Sequence, residues 1–349
     1  MRIRSFYMRG VRGLAPVELD FLDPATRSAR PRTVIAGSNG TGKTTILEVI
    51  YALLELAKGV KPTWLRPNGL QTGIAVTDLP KSGEYPLMIE IGNAQQADGI
   101  AYLSGRRAFS SGGEPAGLNL TRRGPLAEAL PAMIERAEAG EADFPNCIYF
   151  PSEERELRPK RAGQVIAEPQ RYQWAYRFSD SQKWEGSLES FLVAMNYRDL
   201  MAQRASSEEG AGEFDRFVGV INRFLEKKRI AGVDPQTFRV QIETNGKSAK
   251  TAGGERHNID ALSSGEKQIV LMLGEVQRRI RRGSILLMDE PEIHLHPRWQ
   301  RLLIRALTDL CEQHDAQMIV TTHSEEVANA FYEHERILLD AVFAPEAHV

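Results

Sequence analysis

Short apolar runs and longer amphipathic segments alternate along the chain, and their periods predict its secondary structure. Residues 2–8 alternate in polarity, residues 17–21 follow a glycine-containing turn, and residues 33–36 form a short β-branched run. These three segments predict strands. From residue 43 to residue 58, apolar side chains recur at spacings of three and four, which predicts a helix.

The middle of the chain begins with weaker signals. Predicted strands occupy residues 86–91, 100–103 and 147–150. A helix is predicted at residues 125–139, and residues 152–186 are polar and stay unassigned.

Two amphipathic helices and a hairpin follow. Residues 188–195 and 214–225 each place their apolar side chains on one face, which predicts helices. No heptad pattern is sustained, so we expect the two helices to pack together in a subdomain, the alternative being a coiled-coil arm. A hairpin is predicted where residues 238–243 lead into Asn245 and Gly246.

The last third of the chain alternates regularly between helix and strand. We predict helices at residues 265–279, 298–314 and 325–332 and strands at residues 284–288, 317–321 and 336–339. This alternation is typical of βαβ units around a parallel sheet. The predicted fold class is therefore α/β, a mixed or parallel sheet with flanking helices and an inserted helical subdomain.

Composition narrows the class of protein further. The 349 residues are 42% hydrophobic and 26% charged with a net charge of −2, values that are ordinary for a globular protein and give no overall attraction for nucleic acid. Cys147 and Cys311 lack neighbours at metal-ligand spacing, so neither a disulfide framework nor a zinc site is expected. Without an apolar secretory start or a membrane-length apolar run, we expect a cytoplasmic protein that does not contact membranes.

Residues 37–44, GSNGTGKT, match the phosphate-loop pattern G-x-x-x-x-G-K-[ST] at every fixed position. The loop follows a predicted strand and opens a predicted helix, so backbone N–H groups and the helix N-terminus can bind phosphates. Lys43 is expected to reach the β- and γ-phosphates as a catalytic residue, and the Thr44 hydroxyl to ligate Mg²⁺. The chain is therefore predicted to bind ATP and Mg²⁺. The predicted nucleotide-binding residues of this loop are Asn39, Gly40, Thr41, Gly42, Lys43, Thr44 and Thr45.

The other half of a hydrolytic site is predicted at two later strand ends. Residues 285–288 are apolar, as in a strand buried on both faces, and lead into Asp289 and Glu290. Asp289 can hold Mg²⁺ beside Thr44, and Glu290 can act as the general base on the attacking water. His323 ends the next strand, at the edge where open α/β sheets place ligands, and can hydrogen-bond the γ-phosphate or the water.

Residues 262–268, LSSGEKQ, resemble the signature of ABC ATPases in the form found in RecF-like and chromosome-maintenance-like members. Ser263, Ser264 and Gly265 at a helix N-terminus form a second anion site. Because the phosphate loop already occupies another helix N-terminus, these residues are expected to bind the nucleotide of a second subunit, which implies a head-to-tail homodimer with ATP between the subunits. An ordinary N-cap by Ser263 or Ser264 is the alternative.

Two further segments indicate which branch of the ABC ATPases the chain resembles. Residues 1–14 look like the first strands of RecF and chromosome-maintenance ATPases, which places Arg12 near the nucleotide. Residues 289–297, DEPEIHLHP, are similar to those of the overcoming-lysogenization-defect (OLD) family and related phage-defence ATPases. For His294 and His296, packing at a dimer interface is favoured over metal binding.

The resemblance implies a P-loop ABC-ATPase head built from three parts. Residues 1–110 would form an N-terminal ATPase lobe, residues 111–255 a mainly helical insertion, and residues 256–349 a C-terminal ATPase lobe. Gln95 and Gln96 are poor candidates for the glutamine that contacts Mg²⁺ in many relatives. Because OLD nucleases carry a nuclease domain beyond the point where this chain ends, effector chemistry is expected from a separate partner protein.

Three functions remain open at this stage. The first is an ATPase that regulates a toxic or nucleolytic effector in bacterial anti-phage defence, and the second is a RecF-like clamp on DNA or RNA. A transporter motor is disfavoured because the segment between Thr45 and Leu262 is long for that class. For nucleic acid, the candidate basic residues are Arg155, Arg158, Lys160, Arg161, Arg278, Arg279, Arg281 and Arg282. The last four also suit a helix C-terminus without any ligand.

Overall fold

The computed structural model describes residues 1–9, 11, 14–58, 87–92, 101–109, 115–152, 172–178, 184–205, 212–244, 255–293 and 295–339. Within these ranges the chain forms three β-sheets and seven α-helices. None of these helices combines the length and the apolar character that crossing a membrane requires.

A parallel sheet of six described strands lies at the centre of the fold. In spatial order its strands are β14 (Arg336–Leu338), β3 (Arg32–Ala36), β13 (Gln317–Thr322), β12 (Ile285–Asp289), β7 (Cys147–Phe150) and β8 (Ala175–Arg177). Every neighbouring pair runs parallel. β12, β13 and β7 are buried along their whole length, which explains why their sequences are apolar without alternation.

Two smaller antiparallel sheets flank this centre in the described part of the chain. The first contains, in order, β2 (Val17–Asp20), β1 (Arg2–Met8), β4 (Leu87–Gly92), β5 (Ala101–Phe109) and β6 (Pro115–Arg123). The second contains β11 (Glu255–Asn258), β10 (Val240–Thr244) and β9 (Lys228–Val233).

The helices divide between the two faces of the parallel sheet. They are α1 (Lys43–Ala57), α2 (Pro125–Glu138), α3 (Trp184–Ala205), α4 (Glu213–Asn222), α5 (Ser264–Arg279), α6 (Pro297–Gln313) and α7 (Glu325–Ala328). Ile285 and Leu287 of β12 pack with α1, α2 and the five-stranded sheet. Leu286 and Met288 point to the other face, where they pack with α3, α4, α5 and α6. Because the side chains of β12 alternate between the two faces of the sheet, this strand contributes to both apolar cores.

The predicted α/β class is confirmed, as are most of the predicted elements. The helix expected at residues 325–332 ends at Ala328, because the N–H groups of Ala330 and Phe331 bond three residues back in tight turns. The strand expected at residues 100–103 continues to Phe109. Residues 245–254, which hold the predicted hairpin turn, lie outside the described residues, although β10 and β11 do pair antiparallel.

Three strands are absent from the sequence prediction, namely β6, β8 and β9. β6 opens with Pro115 and contains Gly117, a composition typical of loops, and its long ladder with β5 supplies the pairing that overrides this preference. The boundaries at residues 110/111 and 255/256 stay predictions. The middle segment contributes β7 and β8 to the parallel sheet as well as three helices.

One buried side chain ties the five-stranded sheet to the parallel sheet. Gln317, the first residue of β13, is fully buried, and its Oε1 accepts the Ile3 N–H at 2.6 Å. Its Nε2 donates to the carbonyl oxygens of Ile3 at 2.9 Å and Arg30 at 3.1 Å. One amide therefore satisfies three backbone groups that burial hides from water.

Replacing Gln317 with leucine should lower the free energy of unfolding by about 3 kcal/mol, because buried backbone groups lose their partners. Equilibrium denaturation measures this loss. Gln313→Leu, at an exposed position near the end of α6, serves as the matched control and should change stability little. Equal stability of the two variants would contradict the linking role of Gln317.

Candidate nucleotide site

The predicted site residues meet at one edge of the parallel sheet. β3, β12, β13 and β7 run in the same direction, so their carboxyl ends lie side by side. β3 leads into the phosphate loop, β12 ends in Asp289, and β13 ends at Thr322. Open α/β sheets bind ligands at this edge.

The phosphate loop has the backbone that phosphate binding needs. Gly40 and Gly42 have φ angles of 85° and 88°, in the left-handed region that favours glycine. A Cβ on Gly42 would also lie 2.5 Å from Leu14 Cδ1. Gly42 is the N-cap of α1, where no side chain caps the helix and no acidic residue occupies the first turn. This end of α1 is therefore suited to an external anion.

Lys43 lies almost completely buried against the loop that precedes it. Its Nζ donates to the carbonyl oxygens of Gly37 at 2.9 Å and Ser38 at 2.8 Å. The ammonium is also 3.9 Å from Glu290 Oε1. Lys43 is thus placed within the loop, where it can exchange carbonyl partners for phosphate oxygens.

Asp289 is fully buried and accepts hydrogen bonds from hydroxyl groups in three different parts of the fold. Thr44 Oγ1, at the start of α1, and Ser152 Oγ, just past β7, each donate to Asp289 Oδ2 at 2.8 Å. The Thr321 hydroxyl of β13 donates to the other carboxylate oxygen. A carboxylate with adjacent hydroxyls is an oxygen-only ligand set, which fits Mg²⁺.

Ser152 is a site residue that the sequence reasoning missed. It lies in a polar stretch without a motif, and the only signal that could have found it is its position just after a buried strand. The register of β7 beside β12 puts that strand end at the edge of the site.

Glu290 is held in a conformation unusual for a glutamate. Its φ angle is 47°, and its N–H bonds to the Thr321 carbonyl oxygen at 3.0 Å. Left-handed backbone at a residue other than glycine is costly and occurs where the surrounding structure imposes it, often at active sites. The Glu290 carboxylate lies 3.4 Å from Nδ1 of His323. The proposed base and the histidine are therefore in contact.

Behind His323 lies Glu292, a second carboxylate that the sequence reasoning did not single out. Only 3% of its surface is exposed, and burial raises the pKa of this carboxyl group. Its Oε1 accepts from the Thr322 hydroxyl and from the His323 N–H at 3.3 Å. It was overlooked because DEPE contains three acidic side chains in four residues, and only the backbone path decides which one turns inward.

The residues resembling an ABC signature begin α5. Ser263 is the N-cap, its N–H bonds to Glu266 Oε2 at 2.6 Å, and its hydroxyl accepts from the Glu266 N–H at 3.4 Å. Burial opposes ionisation of Glu266, but these bonds and Lys228 at 2.9 Å keep its pKa below the usual value. Ser263 therefore caps α5. Ser264 is exposed beside it, and the roles of Ser263, Ser264 and Gly265 toward a second nucleotide stay predictions.

Several predicted residues lie outside the described part of the chain. They are Arg12, Gln95, Gln96, Arg155, Arg158, Lys160, Arg161 and His294. His296 is described, and its Nδ1 accepts from the Arg298 N–H at 3.3 Å as the N-cap of α6. Among the described residues no group of three potential metal-ligating His, Cys, Asp or Glu side chains occurs. Arg278 and Arg279 both pair with buried Glu275, and Arg281 pairs with Asp143.

Comparison with known proteins places this arrangement in a family. A family model described as "AAA domain, putative AbiEii toxin, Type IV TA system" matches residues 32–329, and the chain belongs to this family. The "Retron Vc95 probable ATPase" of Vibrio cholerae serotype O1 biovar El Tor is 23% identical over 367 residues, which cover 86% of this chain and 67% of that protein. The "Septu protein PtuA" of Bacillus thuringiensis is 29% identical over 124 residues, which cover 32% of this chain and 29% of that protein.

Among solved structures, the chain is similar to "Crystal structure of the SmcHead bound to the C-winged helix domain of ScpA". That comparison has a TM-score of 0.48 and 14% sequence identity and covers 95% of this chain and 92% of the other. The predicted resemblance to phage-defence ATPases is confirmed by the family and the relatives. The chain is thus similar to ATPases of this group.

Replacing Ser152 with alanine should weaken Mg²⁺-dependent binding of a non-hydrolysable ATP analogue about 10-fold, or ~1.4 kcal/mol, because Asp289 loses a hydroxyl that orients it. Titration calorimetry with and without Mg²⁺ measures the effect. Ser5→Ala removes a comparable hydroxyl–carboxylate bond, to Glu90 at 2.9 Å, in another sheet and should bind the analogue normally. Unchanged Mg²⁺ dependence in Ser152→Ala would contradict this role.

Proposed function

We propose that this protein binds Mg²⁺–ATP and hydrolyses it between two head-to-tail copies, and that this cycle regulates a separate effector in anti-phage defence. The observation that carries the proposal is the meeting of Lys43, Thr44, Asp289, Glu290 and His323 at one sheet edge. These side chains come from distant parts of the sequence, and together they supply the parts that phosphoryl transfer to water requires.

Binding of ATP follows from the loop and the start of α1. The backbone N–H groups from Asn39 to Thr45 and the Lys43 ammonium bind the phosphates at this uncapped helix end. Thr44 and Asp289 would hold Mg²⁺, and Ser152 and Thr321 orient the Asp289 carboxylate. When bound, Mg²⁺ neutralises charge on the β- and γ-phosphate oxygens.

Hydrolysis follows from Glu290 and His323. Glu290 accepts a proton from the water that attacks the γ-phosphorus, and its Oε1 lies 3.9 Å from the Lys43 ammonium. His323 contacts Glu290 through Nδ1, and its ring is 46% exposed in the open site, where the γ-phosphate and the water can reach it. The strained backbone of Glu290 aims its side chain at this position.

Dimerisation is supported by the contrast between two helix ends. The start of α1 has no side-chain cap, whereas the start of α5 is capped internally by Ser263 and Glu266, leaving Ser264 exposed beside it. An exposed serine at a helix N-terminus can add hydrogen bonds to a γ-phosphate held by another copy. Loss of the γ-phosphate on hydrolysis would remove this bridge and open the dimer, a switch of the kind that phosphate contacts control.

The biological role rests on the relatives. One is described as the probable ATPase of a retron and another as a Septu protein. A regulator of this kind would couple the closing and opening of its dimer to the state of an effector protein. The DNA or RNA clamp is the alternative that the experiment below distinguishes.

Replacing Glu290 with glutamine should slow hydrolysis at least about 100-fold while preserving ATP binding, because the base is lost and the phosphate contacts remain. The variant should accumulate as a closed dimer with Mg²⁺–ATP, which native mass spectrometry detects. Lys43→Ala serves as the comparison and should lose ATP binding and remain monomeric.

Three outcomes would contradict parts of this proposal. Normal hydrolysis by Glu290→Gln would contradict the role of Glu290 as the base. A protein that stays monomeric with Mg²⁺–ATP would contradict the dimer with ATP between its subunits. A dimer that co-purifies with no second polypeptide from its own host would contradict the effector and favour the clamp. Salt-dependent affinity for duplex DNA would then support that alternative.

A further inference from the structure

One buried acidic group at the site has no role in the proposed hydrolysis. Glu292 is 3% exposed and follows Glu290 by two residues, yet its side chain turns away from the open face of the site. Oε1 is engaged, whereas Oε2 is buried without a hydrogen-bond partner among the described residues. A carboxyl group kept in this position at an energetic cost calls for a function.

The contacts of Oε1 converge on the junction where β13 ends. It accepts from the hydroxyl of Thr322, the last residue of the strand, and from the N–H of His323, the first residue beyond it. The His323 side chain is 46% exposed, so packing alone holds it weakly. Glu292 therefore fixes the backbone from which the imidazole projects.

The same carboxylate faces the imidazole ring. His323 Nδ1 lies 3.4 Å from Glu290 Oε1 and 3.8 Å from Glu292 Oε1. A nitrogen that faces two carboxylate oxygens is favoured as the proton-carrying nitrogen of the ring. Nε2 is then the acceptor nitrogen.

We propose that Glu292 is a positioning residue for His323, one that holds Thr322 and the His323 amide through Oε1 and keeps a protonated Nδ1 directed at Glu290. This role rests on the proposed function, since orienting His323 matters for hydrolysis only if the site hydrolyses ATP. Glu292 acts through His323 and does not touch the nucleotide.

Two variants of the full-length chain separate positioning from packing. Glu292→Gln keeps an oxygen acceptor for Thr322 and His323, whereas Glu292→Ala removes it. Glu292→Ala should lower kcat about 10-fold or more with an ATP KM within about 2-fold of wild type, since a misplaced group costs rate rather than binding. Glu292→Gln should retain at least about a third of the wild-type kcat. A normal kcat in Glu292→Ala, or an equal loss in both variants, would overturn the proposal.

A readout that needs no ATP turnover separates this inference from the proposed function. The ring nitrogens of the seven histidines can be labelled with ¹⁵N in the nucleotide-free protein, and the His323 signals assigned through His323→Asn. Wild type and Glu292→Gln should show a proton on Nδ1, and Glu292→Ala should lose this preference. His323 signals that are the same in all three proteins would overturn the inference even if ATP is hydrolysed.

Should Glu292→Ala fail to fold, Thr322→Val provides the second route. It removes the hydroxyl donor to Oε1 at nearly constant volume, and the His323 ring signals should move in the same direction as in Glu292→Ala. Unchanged ring signals in a folded Thr322→Val protein would contradict the arrangement. If wild type shows no ATP hydrolysis while the ring signals behave as described, the proposed function fails and the contact between Glu292 and His323 stands.

Discussion

The site depends on the hydrogen bonds that the buried carboxylate of Asp289 accepts. A carboxylate that is shielded from water must be compensated by hydrogen bonds, and here the hydroxyl groups of Thr44, Ser152 and Thr321 supply them. Each hydroxyl belongs to a different element, so the elements can satisfy Asp289 only in one arrangement. The same arrangement opens an oxygen-lined position beside the phosphate loop. The requirement to satisfy one buried carboxylate therefore brings the parts of the candidate nucleotide site together.

The parallel register of the central sheet makes that arrangement possible. β7, β12, β13 and β3 end at one edge because they are parallel neighbours, and their apolar residues fill cores on both faces. Gln317 joins this sheet to β1 at the opposite end, where it satisfies three backbone groups. The functional edge is left for charged and polar side chains, including the strained Glu290.

The sequence predicts the parts of the site that have local patterns. The phosphate loop, Asp289, Glu290 and His323 were found because each follows an apolar strand or matches a motif. Ser152 and Glu292 were missed because their importance depends on which strands become neighbours and which way a loop turns. β6 was missed for a related reason, since its proline and glycine suggest a loop and only the pairing with β5 makes a strand. These features depend on contacts between distant parts of the sequence, which local periodicity does not reveal.

The central claim is that one catalytic site combines the phosphate loop of one copy with the α5 N-terminus of another. Mixing the Lys43→Ala and Ser264→Arg variants tests it directly. Because Ser264 is exposed, arginine at this position should leave folding intact but block the contact with the nucleotide of another copy. Each variant alone should be nearly inactive, and an equimolar mixture should recover up to about half of wild-type ATPase activity, since only mixed dimers close and each contains one intact site of two. Activity no higher than the average of the separate variants would contradict the shared site.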